Sequence, residues 1–84
     1  MLKGIVIGHV VATRKQESLV GSKFMEVEIT EADVRTGKFI IAVDSVGAGI
    51  GETVLLTTGS SARLALANQN SPTDAVIVGI VDPA

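Results

Sequence analysis

The chain has 84 residues, no cysteine, tryptophan or tyrosine, and a formal net charge of −2; a fold of that size hides only about 60% of the surface its unfolded form exposes, and without thiols neither disulfides nor a thiolate zinc site can supplement the core. The acidic balance and the two phenylalanines argue against a nucleic-acid partner, which needs clustered cations and stacking rings. No apolar run approaches the roughly 20 residues that cross a bilayer, and Met1-Leu2-Lys3-Gly4 lacks the form of a secretory signal, so the expected location is the cytoplasm with no membrane partner.

Ile5 to Thr13 is rich in β-branched residues and apolar on both alternating faces except at His9, the pattern of a strand with little solvent exposure. Arg14-Lys15-Gln16-Glu17-Ser18 is a polar loop and Gly21 offers a turn back into Lys23 to Thr30. There Met25, Val27 and Ile29 share one face and Phe24, Glu26 and Glu28 the other, as in a strand with one buried side. Thr30 to Lys38, with Glu31 to Gly37 at its centre, carries no recognisable motif and reads as a variable surface connection. Further strands are expected over Lys38 to Asp44, Glu52 to Thr58 and Ala75 to Val81. Between the last two, Ser60 or Ser61 can cap a short helix over Ala62 to Ala67, stopped by Asn68 to Pro72. Five short strands with one helix before the last predict a mainly β fold, a small OB-like barrel forming one domain over residues 1–84.

The hydrophobic fraction of 46% is high for so short a chain. Oligomerisation is the remaining way to stabilise it, and the surplus apolar surface is expected to face neighbouring subunits, chiefly from the first and last strands.

Three glycines at alternate positions, Gly47, Gly49 and Gly51, follow Asp44 and interrupt two apolar strands. Glycine there implies positive φ or a close backbone approach, in a tightly folded loop or at a crowded symmetry axis. The dinucleotide fingerprint needs G-x-G-x-x-G opening a helix, whereas Glu52-Thr53-Val54-Leu55-Leu56 continues as a strand. Asp44, at the end of its strand, is placed to accept loop N–H groups, with Arg63 as the other candidate partner. Gly59-Ser60-Ser61-Ala62-Arg63 fails the hydrolase elbow, because Arg63 stands where the last glycine should be. His9 is the only histidine; with Asp44 or Asp74 as a conceivable orienting group it makes no recognisable catalytic set, and with no second histidine or cysteine it makes no metal site. No catalytic residue, metal or cofactor is expected.

Four blocks, Val11-Ala12-Thr13-Arg14-Lys15, Asp44-Ser45-Val46-Gly47-Ala48-Gly49-Ile50-Gly51-Glu52, Gly59-Ser60-Ser61-Ala62-Arg63 and Ala75 to Asp82, together resemble the EutN/CcmL family of pentameric vertex proteins of bacterial microcompartment shells. The resemblance implies a non-enzymatic structural protein, a cyclic homopentamer at shell vertices, carboxysome-like or otherwise, with hexameric shell proteins as partners. It places Gly47, Ala48, Gly49, Ile50 and Gly51 toward the five-fold axis. It makes Asp44, Gly59, Ser60, Ser61 and Arg63 a structural or interface signature, and Arg14 and Lys15 a possible contact with an adjoining tile. For any single glycine an ordinary hairpin bend remains an equal alternative. The competing function is an OB-type module for single-stranded nucleic acid or a small ligand, the latter using His9.

Overall fold

In the computed structural model, residues 1–66 and 73–82 are described, apart from the side chains of Ser61 and Arg63. Five strands are present among them: β1 (Leu2–Val10), β2 (Phe24–Glu31), β3 (Val34–Asp44), β4 (Thr53–Thr58) and β5 (Ala75–Ile80), with one α-helix, α1 (Ser60–Leu64), before the last and a 3-10 turn (Glu17–Leu19) after the first. They close into a barrel in the order β1-β2-β3-β5-β4. Neighbours are antiparallel except β3 and β5, which run parallel and pair only at Val43–Val76 and Asp44–Ile77.

The alternation read in β2 is what fills the barrel. Met25, Val27 and Ile29 point inward and meet Val6 of β1, Ala42 of β3, Val54 and Leu56 of β4, and Ala75 and Ile77 of β5 in one buried cluster. A second cluster lies outside the barrel, where Ala62 of α1 covers Val43 and Val76 at the narrow β3–β5 seam. The helix therefore seals the part of the wall with the fewest strand hydrogen bonds.

Element boundaries differ from expectation at β1 and at the helix. β1 spans Leu2–Val10, so Val11 to Thr13 lie beyond it and Val11 is 86% exposed; His9 is near its exposed end, not mid-strand. The helix starts at Ser60, and the residue before it is Gly59 with φ +68°. Glycine rather than serine thus flanks the helix start, and the helix ends at Leu64, short of the expected Ala67, where Ala65 N donates to the Ala62 carbonyl at 3.2 Å and tightens the last turn; the expected stop at Asn68 to Pro72 lies outside the described residues.

The largest correction concerns Glu31 to Gly37. Instead of a surface connection it forms a tight hairpin, with Thr30 opposite Arg35 and Glu31 opposite Val34. Ala32 and Asp33 make the turn at φ 49° and 63°, the conformation of a two-residue hairpin turn of primed type. A bulge follows, since pairing jumps from Thr30–Arg35 to Glu28–Phe39. Thr36 Oγ1 pins it by donating to the Ile29 carbonyl at 2.6 Å, and Gly37, at φ +75°, donates its N–H to Glu28 Oε2 at 3.0 Å.

Candidate functional site

The glycine loop folds across the end of the barrel between β3 and β4, held by carboxylates at both ends. Asp44 Oδ1 accepts the N–H groups of Val46 (3.0 Å) and Gly47 (3.1 Å), and Oδ2 accepts that of Ala48 at 2.9 Å. The Asp44 side chain is 1% exposed and has Lys23 Nζ 3.6 Å away, so a buried carboxylate is compensated by amides and one cation. From the far end Glu52 Oε1 accepts the Gly49 N–H at 2.5 Å. Gly51 N donates to the Val6 carbonyl at 2.8 Å, and Val6 N to that of Glu52 at 3.0 Å, which ties the loop to β1.

This network has two chemical consequences. Successive amides from Val46 to Gly49 already bind the chain's own carboxylates, so the backbone cradle that would hold a phosphate is filled from within. Ala48 turns inward and is buried in the barrel core, which fixes the loop from below. Of the three alternating glycines, Gly47 (φ +83°) and Gly51 (φ +89°) need positive φ. Gly49 does not; a β-carbon there would sit 3.1 Å from the Glu52 carboxylate oxygen. Val46 and Ile50 stand 42% and 59% exposed on the loop's outer side.

Parts of two other blocks meet the start of β5. Ser45 Oγ donates to the Ile77 carbonyl of β5 at 2.6 Å, and Gly59 N donates to the Asp74 carbonyl at 2.8 Å. The side chains of Ser61 and Arg63 lie outside the described residues, and Asp44 takes loop amides and Lys23 as partners. Arg14 and Lys15 are exposed in the loop after β1, with Lys15 Nζ donating to the Ala12 carbonyl at 2.8 Å. Lys15, Lys23, His9 and Phe24 line one open recess. His9 is exposed there, and the Asp44 carboxylate, one of its two candidate orienting groups, is engaged by the loop. Among the described residues no group of three or more His, Cys, Asp or Glu gathers as a metal site.

One polar cluster escaped the sequence reading. Glu28, on the outer face of β2, is buried to 5% exposure. Its carboxylate receives Arg35 Nε at 2.7 Å and the Gly37 N–H. The Arg35 hydrogen bond holds the carboxyl below its ordinary value of 4.5, against the opposing effect of burial and with help from Gly37. Nothing in the Phe24-Glu26-Glu28 alternation marks Glu28 out, because the cation that covers it arrives across an unrecognised bulge.

The model of the family described as ethanolamine utilisation protein EutN/carboxysome matches residues 1–82. The chain belongs to the EutN/CcmL family. Among family members, the bacterial microcompartment shell vertex protein GrpN of Rhodospirillum rubrum is 48% identical over 83 residues, covering 98% of this chain and 93% of GrpN. The vertex protein EutN of Salmonella typhimurium is 42% identical, with 98% and 84% covered. The pentameric GrpN structure superposes with a TM-score of 0.89 at 47% identity, over 100% of this chain and 96% of that one. Gloeobacter violaceus CcmL gives a TM-score of 0.93 at 40% identity, over 100% and 88%. The OB-like barrel is therefore the EutN/CcmL fold.

Proposed function

We propose that this chain is a structural, non-enzymatic shell protein, one domain over residues 1–84, that closes into a ring of five copies and occupies the five-fold vertices of a bacterial microcompartment shell. The observation that carries the proposal is the match, at 47% identity and over the whole chain, to a shell protein solved as a pentamer. Its partners are four further copies of itself and the six-fold tiles of the facets; no cofactor enters.

The role is geometric. A flat layer of six-fold tiles cannot close, so a facetted shell needs five-fold pieces where facets meet. A heterologous contact repeated at about 72° closes into such a ring, whereas a different angle gives a filament. What a vertex subunit must supply is a fixed angle, which requires stiff contact surfaces. In this reading Gly47 to Gly51 edge the central opening, and a loop whose amides are held by Asp44 and Glu52 suits that place. Asp44, Gly59, Ser60, Ser61 and Arg63 belong to the barrel end that meets neighbouring subunits, and Arg14 and Lys15 are offered to an adjoining tile.

Native mass spectrometry of the purified chain tests the proposal. A dominant five-subunit species is expected; a six-subunit ring would overturn the vertex geometry, and a stable monomer would overturn assembly altogether.

A further inference from the structure

The wall of the barrel is weakest between β3 and β5. These strands share only the pairs Val43–Val76 and Asp44–Ile77, in the parallel arrangement that is slightly less stable per residue, whereas the next shortest ladder, β1 with β4, runs from Leu2–Leu56 to Ile5–Thr53. The seam is fastened from two further directions. Ser45 N and Oγ both donate to the Ile77 carbonyl, at 3.4 Å and 2.6 Å. From outside, Ala62 of α1 is fully buried over Val43 and Val76, and the Gly59 N–H ties the start of the helix to the Asp74 carbonyl, just before β5, at 2.8 Å.

Only one half of the glycine loop stands on this seam. Asp44 closes the ladder with its backbone and holds the N–H groups of Val46, Gly47 and Ala48 with its carboxylate, and Ala48 packs in the same buried cluster as Ile77. The other half is fastened to β1: Gly51 N donates to the Val6 carbonyl and Val6 N to that of Glu52, while the Gly49 N–H is held by Glu52. We infer that the β3–β5 seam is a conformational latch, which opens as a local unit and releases Ser45 to Ala48 with it while Gly49 to Glu52 stay in place. Parting the strands withdraws Ile77 from Ser45 and from Ala48, and lets water compete with the three loop amides for the Asp44 carboxylate. Local openings arise where buried contacts and strand hydrogen bonds are fewest. The outer part of the latch is α1, whose Leu64 is 69% exposed, so a contact made on the helix reaches the loop through Ala62 and Val43. The latch is a property of the single subunit and does not depend on how many copies assemble.

Residue-resolved amide hydrogen exchange on the purified chain, in the state in which it assembles, tests the latch. The parent is compared with Ser45→Ala, which loses the Oγ bond to Ile77, and with Ala62→Gly, which uncovers Val43 and Val76 from outside. Asp44 N donates to the Lys23 carbonyl on the β2 side at 2.8 Å, so alternation turns the Val43 N–H toward β5 and makes it the reporter of the seam. Gly47 and Ala48 report the first half of the loop, Gly51 its second half, and Val27 the rest of the barrel. Each variant is expected to speed exchange at Val43, Gly47 and Ala48 by one common factor of about 5 and to leave Gly51 and Val27 at parent rates. A change at Val43 alone, or in the loop alone, overturns the coupling. An equal rise at Gly51 and Val27 means that the whole barrel opens, and unchanged rates throughout mean that the seam is no weak point; either overturns the latch. Should a variant not fold, the parent decides in urea below its unfolding transition. Val43, Gly47 and Ala48 are then expected to share one urea dependence, shallower than that of Val27, and separate dependences overturn the inference.

Discussion

Arg35 lies over the carboxylate of Glu28, with Nη2 2.5 Å and Nε 2.7 Å from Oε1, and so pairs the two strands of the hairpin across its bulge. The contact keeps the Glu28 carboxyl below its ordinary value of 4.5. A depressed carboxyl stabilises the fold fully above its unfolded value and loses that contribution as pH falls through the lower folded value. The melting temperature of the parent should therefore drop more steeply below about pH 4.5 than that of Glu28→Gln. Parallel acid limbs for the two proteins would show that the pair contributes nothing to stability.

Asp44 satisfies three loop amides from a side chain that is 1% exposed. Truncation to Ala leaves those donors without their acceptor, Ala48 N in the buried part of the loop. Asp44→Ala should cost about 1–3 kcal/mol, and Asp44→Asn, which keeps one oxygen acceptor, less. Urea unfolding at one fixed protein concentration measures both, since assembly makes apparent stability concentration-dependent. Equal stability of parent and Asp44→Ala would mean that the loop is held from elsewhere.

A β-carbon at Gly4 would lie 2.6 Å from the Glu28 carbonyl oxygen and 2.6 Å from Val27 Cγ1, whereas one at Gly8 meets nothing within 4 Å. Gly4→Ala should therefore destabilise by about 1–3 kcal/mol through overpacking of β1 on β2. Gly8→Ala should be neutral or slightly stabilising, because it removes chain entropy from the unfolded state. Thermal melts of the pair check the contrast; similar behaviour at both positions would refute the close approach at Gly4.

Ala32 turns the hairpin at φ 49°, a conformation that disfavours a β-carbon by roughly 1–2 kcal/mol. Asparagine tolerates that region better, so Ala32→Asn should raise stability by about 0.5–1 kcal/mol. A lower melting temperature for that variant would argue that the turn is set by its surroundings, including the ion pair of Asp33 with Lys3.

The barrel was legible because its strands carry their periods openly. Met25, Val27 and Ile29 fill the interior as their alternation indicates. The hairpin was not legible because Ala32-Asp33 lacks the Asn-Gly or Asp-Gly signature of its turn class, and because extra residues beside Ile29 break the two-residue period. The same bulge hid the Glu28 cluster. Within the glycine loop the sequence told that backbone freedom was wanted but not where, since φ is positive at Gly47 and Gly51 and not at Gly49. The short β3–β5 seam was out of reach for a plainer reason: its length appears only once strand neighbours are known.

The hairpin tip has a practical use. Beyond the bulge only Thr30–Arg35 and Glu31–Val34 pair, and the side chains that close the barrel lie further back along both strands. A peptide spliced between Ala32 and Asp33 enters and leaves through adjacent strand ends, so foreign sequence can be displayed there while the barrel keeps its register. That makes the turn a grafting point through which each subunit could carry a tag or a recruited enzyme.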